Sequence, residues 1–109
     1  MFALNYGMGI MCDMGMRIEK LRAGHANMFL SPVFSEAFAT VTGATVELFN
    51  TDGAQGAARG AGIGSGVFAS EQDAFRGLTP VKTVEPNRAL AGAYTDAYGN
   101  WENALKMYL

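Results

Sequence analysis

The sequence predicts an α/β fold, about three short strands covered by helices, and three observations carry that reading. Segments with helical and with strand periodicity alternate along the whole chain. Leu30, Val33, Phe34, Ala37, Phe38 and Val41 match the i, i+3, i+4, i+7, i+8, i+11 helical template without a miss. The alternating strand Thr45 to Phe49, with Val46 and Leu48 on one face, runs directly into a Gly/Ala segment at helical spacing.

The elements follow in order. Phe2, Tyr6, Ile10 and Met14 recur every four residues, so a first helix is expected to end near Gly15, a residue that suits a helix C-terminus. Five of the seven Met residues precede residue 17, which points to adaptable packing of that helix. Arg17 to Arg22 reads as a short strand. The second helix starts near Ser31 and Pro32 and is closed by Gly43. After the strand at 45–49, Asn50, Thr51, Asp52 and Gly53 make a turn into the glycine-rich helix. Ser70 is placed to cap a short helix containing Ala74 and Phe75. Val81 to Glu85, between Pro80 and Pro86, reads as an edge strand. Leu90, Ala93, Tyr94, Ala97, Tyr98, Trp101, Leu105 and Tyr108 then form a long helix with an aromatic docking face.

A chain of 109 residues, half of them apolar and 17% charged, is expected to be one folded unit; it has no linker, repeat or low-complexity tract. Net charge is −2 and the eight Lys and Arg residues are scattered, so no cluster is available to neutralise a nucleic-acid backbone. Asp52, Gln55 and Arg59 interrupt the small-residue run, which excludes it as a membrane span of about 20 apolar residues. Cys12 is the one cysteine and His25 the one histidine, which leaves a Cys-based zinc site without ligands. Cys12 is expected to pack as a small apolar residue. The N-terminal stretch carries no Lys or Arg before its apolar residues, so a cytoplasmic location is the expectation.

Two segments are candidates for function. In the glycine-rich helix, Gly56, Gly60, Gly62 and Gly64 together forgo about 3–4 kcal/mol of helix propensity relative to Ala. Something is therefore expected to lie very close to that face. Two readings compete: tight packing of helix on sheet, or a helix beside a nucleotide. No Lys-Ser or Lys-Thr follows the glycines and no GxGxxG occurs, so a P-loop is excluded. The second candidate is the loop Ala23-Gly24-His25-Ala26-Asn27, where small residues let backbone approach a ligand ahead of a helix start. Asn27 reads either as a turn residue or as an adenine contact, and His25 either as a surface imidazole or as an acid.

Taken together, RAGHANMFLSPVFSEAFATVTGATVELFNTDGAQGAARGAGIGSGVF resembles the C-terminal portion of the FGGY carbohydrate kinases, in particular the xylulokinase-like branch. The resemblance extends from about Tyr6 to Tyr108. It rests on the ordered combination of ANMFLSP, the AxxxGATVEL helix-strand link, TDGAQGAARGAG and the terminal YTDAYGNW. It implies a partial ribonuclease H-like domain, as in the actin-like ATPases. Residues 1–109 would form the C-terminal part of the second, nucleotide-binding domain of a kinase, with the first domain absent. It further implies backbone contact with ATP or ADP at Ala23 and Gly24 and adenine contact at Asn27. Family members more commonly have Gly-Gly where this chain has Ala23-Gly24. Asp52, Gly53, Gly56 and Ala57 match the family's small-residue signature, which supports the pocket.

Whole enzymes of that family transfer the γ-phosphoryl group of ATP to a sugar such as the ketose xylulose, using Mg²⁺ and a carboxylate base from the first domain. Such transfer relies mainly on positioning and charge stabilisation. Losing a general base alone removes about 10²–10⁴ in rate, so the resemblance implies an adenine-side wall with no kinase activity of its own, no catalytic residue and no metal ligand. The competing expectation is a noncatalytic protein, either a truncated gene product or a self-associating interaction module, whose open strand edges and aromatic faces would favour homo-oligomers.

Overall fold

A computed structural model describes all 109 residues. The chain is a mixed α/β structure with a three-stranded sheet in the order β1-β2-β3 and five α-helices. Helix α1 spans Phe2–Asp13, β1 Lys20–Gly24, α2 Pro32–Thr42, β2 Thr45–Phe49, α3 Gly53–Gly64, α4 Glu71–Ala74, β3 Pro80–Val84 and α5 Ala91–Tyr108. Single 3₁₀ turns at Asn27–Leu30 and Arg88–Leu90 precede α2 and α5. β1 and β2 run parallel, with Leu21 opposite Val46 and Ala23 opposite Leu48; β3 returns antiparallel beside β2.

Local chemistry accounts for the ends of the best-defined elements. Ser31 Oγ accepts a bond from the Phe34 amide at 3.2 Å, Pro32 occupies the first turn, and Gly43 closes α2 at φ 73°. Asp52 and Ser70 cap α3 and α4 through the amides of Gln55 and Asp73. Asn50 closes β2 onto the start of β3: its Oδ1 accepts from the Thr79 amide at 2.8 Å and its own amide donates to the Thr79 carbonyl at 3.2 Å.

Two sequence expectations shift by a small register. The first strand lies at Lys20–Gly24 rather than 17–22, because parallel pairing with β2 aligns Lys20 with Thr45 and Gly24 with Phe49. Helix α2 buries Ala37 and Phe38 of the expected face but is turned slightly away from its leading edge. Val33 is 76% exposed and Leu30 lies in the preceding turn at 59%, whereas Ser35, Phe38 and Ala39 are buried. Ser35 and Ala39 are small enough to bring α2 down onto Val46 and Leu48.

The core is thin. Phe38 and Ala39 of α2, Val46 and Leu48 of β2, and Val84 of β3 form its centre, with Met1, Met8 of α1, Leu21, Ala23 and Phe29 packed against it. Outside this, α5 stacks on α1 through Phe2, Tyr6, Tyr98 and Trp101, with ring centroids 5.5–6.1 Å apart. Helical cover is therefore confined to one face of the sheet. The other carries Lys20 and Arg22, 3.5 and 3.6 Å from the Glu47 carboxylate. Cys12 is exposed, contrary to the expectation that it packs. No helix is long and apolar enough to cross a membrane.

With so few large side chains in the core, truncating one has a large effect. Leu48→Ala is expected to lower stability by about 2–5 kcal/mol, measured by urea denaturation; a loss below about 1 kcal/mol would show that the sheet is held elsewhere. The α1–α5 stack has an alkaline limit. Burial against α1 and then the Glu102 carboxylate raise the Tyr98 phenol above its ordinary value of 10.0, against a smaller opposing effect of the Asn5 side chain. Its contribution is thus complete below pH 10 and is lost as pH rises through the elevated value. In an alkaline absorbance titration, Tyr98→Phe should remove a late-titrating tyrosine; loss of an early component would contradict the assignment.

Candidate functional site

The carboxyl ends of the parallel strands β1 and β2 open onto a cleft of about 490 Å³. Ala23 and Gly24 at the end of β1 form one wall, and Thr51, Asp52, Gly53 and Gly56 the other. Phe49, Phe75 and Leu78 supply apolar surface and Arg22 a cation at the rim. A smaller hollow of about 290 Å³ shares Ala23, Gly24 and Gly53 with it and is lined further by Asn27, Phe29 and Phe34.

The three residues expected to face a nucleotide thus lie around adjoining hollows, with Ala23 and Gly24 in both and Asn27 in the smaller one. Their local settings differ from a simple glycine loop. Ala23 and Gly24 still belong to the strand, and the His25 amide extends the pairing to the Phe49 carbonyl at 2.8 Å. A Cβ at Gly24 would be driven into the backbone carbonyl of Thr51, 2.9 Å from its carbon, so this glycine is required by the approach of β1 to the turn after β2. His25 is exposed and absent from both hollows.

Asn27 has φ 54°, the only non-glycine residue with positive φ. Asparagine tolerates this left-handed conformation better than most residues, which gives its presence a backbone reason independent of any ligand. The chain then enters the 3₁₀ turn Asn27–Leu30, not directly an α-helix. That turn is anchored from below. Ser35 Oγ donates to the Phe29 carbonyl at 3.1 Å, and the Phe29 ring packs edge-on against Phe34 and Phe38 at 5.2 and 5.5 Å. Ser35 was hidden in the sequence by its polarity, although it shares the i, i+3, i+4 spacing of Phe38 and Ala39.

The glycine-rich helix α3 is barer than expected. A Cβ added at Gly53, Gly56, Gly60 or Gly64 would meet nothing within 4 Å; only Gly62 is closely covered, by the Phe68 ring. The expectation of tight packing along the whole small face is corrected accordingly. Arg59 holds the helix by donating to the carbonyls of Ala74 and Arg76, linking it to α4 and the segment after it. Phe75 and Leu78 arrive at the cleft through this link and the turn at Gly77, φ 88°. No sequence periodicity marked them.

Acidic side chains are sparse at the cleft. No group of three or more His, Cys, Asp or Glu residues converges anywhere in the chain. Asp52 is the carboxylate at the cleft, and its Oδ1 accepts the Gln55 amide at 2.8 Å. No protein-family model matches the chain, and no curated protein matches it significantly.

The backbone explanation of Asn27 is separable from a ligand role. Asn27→Ala is expected to lower stability by about 1 kcal/mol, because alanine resists positive φ, whereas Asn27→Gly loses less. Thermal unfolding of both variants measures this. Equal losses would contradict the conformational account.

Proposed function

We propose that this chain is the adenine-side wall of a nucleotide cleft, belonging to a cytoplasmic ATP-dependent carbohydrate kinase with a ribonuclease H-like nucleotide domain. The observation that carries this reading is the unfilled cleft at the carboxyl ends of β1 and β2, whose two walls are largely backbone at Ala23, Gly24, Gly53 and Gly56. In open α/β sheets, ligands bind outside the carboxyl ends of the strands. A volume of about 490 Å³ is within the ordinary range for a small-molecule site.

The chemistry of the walls suits a nucleoside. Phe49, Phe75 and Leu78 offer apolar surface to a flat base in the cleft, and the Asn27 carboxamide, which lines the adjoining smaller hollow, can both donate to and accept from an adenine edge that reaches across. Backbone without side chains at Gly53 and Gly56 admits ribose and phosphate closely. Arg22 at the rim offers charge to a phosphate.

Phosphoryl transfer needs more than these residues provide. The cleft presents no poised general base, and the sugar pocket and metal ligands of such a kinase would come from a first domain. The thin core and the one-sided helical cover fit a unit completed by further polypeptide. Sugar specificity, xylulose or another ketose, would rest with that domain.

Calorimetric titration with ATP and ADP tests this function. The chain is expected to bind both, with Asn27→Gly about fivefold weaker for loss of about 1 kcal/mol of hydrogen bonding. Gly56→Leu, whose Cβ meets nothing within 4 Å and whose side chain extends from the cleft wall, should weaken binding by about tenfold or more, equivalent to about 1.4 kcal/mol. Mixed with ATP, Mg²⁺ and xylulose, the chain alone should release ADP at the blank rate. Negligible binding, or binding unchanged in Gly56→Leu, would end the proposal.

A further inference from the structure

The register of the sheet decides on which side the cleft opens. Arg22 lies opposite Glu47 and Gly24 opposite Phe49, and side chains alternate along a strand, so Lys20, Arg22, Gly24, Glu47 and Phe49 share one face. Leu21 and Ala23 face the other way, toward the core. Arg22, Gly24 and Phe49 of the first face line the cleft at the carboxyl ends of β1 and β2. The cleft is therefore continuous with the face of the sheet that no helix covers.

Along that face two cations converge on one carboxylate oxygen. Lys20 Nζ lies 3.5 Å and Arg22 Nε 3.6 Å from Glu47 Oε1, which is buried and accepts a hydrogen bond from neither. Both cationic side chains are largely exposed, by 56% and 72%, so their donors are unspent and open to a ligand. Arg22 approaches Glu47 through Nε, which leaves its terminal nitrogens for a bidentate contact with phosphate. The other cations near the cleft are committed elsewhere. Arg59 donates to the carbonyls of Ala74 and Arg76, and Arg76 pairs with Asp73. The start of α3, where the helix dipole would draw a phosphate, holds its own carboxylate: Asp52 Oδ1 accepts the Gln55 amide.

We infer that the phosphate chain of the nucleotide leaves the cleft over Arg22 and runs along the uncovered face of the sheet to Lys20, so that the site selects nucleoside diphosphates and triphosphates over monophosphates. This inference rests on the nucleotide reading of the cleft proposed above. With a base against Phe49 and Phe75, Arg22 at the rim meets the first phosphate. Lys20 lies two residues back along β1, about 6.6 Å away, a span that a second or third phosphate covers. One carboxylate against two cations holds the like charges side by side and still leaves net positive charge for an anion.

Calorimetric titration of the full chain with adenosine, AMP, ADP and ATP tests this route. ADP and ATP are expected to bind about tenfold more tightly than AMP, through one further charge-assisted contact. Lys20→Gln should lower ADP to the affinity of AMP and leave AMP and adenosine unchanged, whereas Lys20→Arg keeps the preference. Arg22→Gln should weaken every phosphorylated ligand and spare adenosine, which serves as the control for folding. No preference for ADP over AMP, or a preference that persists in Lys20→Gln, overturns the route while leaving the cleft a nucleoside site. Equal loss of adenosine binding in the glutamine variants also overturns it, since the cations would then be structural. Binding of none of the four ligands removes the nucleotide reading and this inference together.

Discussion

The approach of Gly24 to the carbonyl of Thr51 is the constraint on which the rest of the arrangement depends. It brings the end of β1 against the turn that follows β2, where any side chain would force the two apart. The parallel pairing continues past the strand through His25 and Phe49, and the chain turns at once into the Asn27 segment. On the other side of the same contact, Asp52 caps α3 and starts the bare helix. Both walls of the cleft are therefore referred to one close backbone contact.

That contact is supported by a small amount of core. Leu48 and Val46 lie under α2, and α2 comes close because Ser35 and Ala39 are small. Ser35 serves twice, since its hydroxyl also ties down the turn carrying Asn27. The aromatic stack between α1 and α5 adds a second layer but buries none of its members fully. The large exposed area of the chain, 7277 Å², follows from this geometry. Helices cover one face of the sheet, while α3, nearly devoid of side chains, has little with which to bury itself.

Local chemistry made much of this fold legible from the residues. Ser31, Pro32 and Gly43 bound α2, the alternation at 45–49 defines β2, and Ser70 caps α4, all through groups within four residues of one another. What depends on distant partners was less accessible. The register of β1 is decided by β2, and the face of α2 by the close fit of small residues that hydrophobic periodicity does not count. The loop from Ala23 to Asn27 stood out by its small residues and the family resemblance pointed to Ala23, Gly24 and Asn27 within it, but two physical reasons for these residues emerge only in three dimensions: the Thr51 carbonyl beside Gly24 and the positive φ of Asn27. Phe75 and Leu78 reach the cleft through the Arg59 link, a long-range contact with no periodic signature.

The central claim is that a nucleotide is held between the end of β1 and the start of α3. Mapping amide chemical-shift changes along the chain as ADP is added tests it most directly. The account predicts changes concentrated at Arg22 to Asn27 and at Thr51 to Gly56. Changes confined to α1 and α5, or none at saturating ADP, would contradict it.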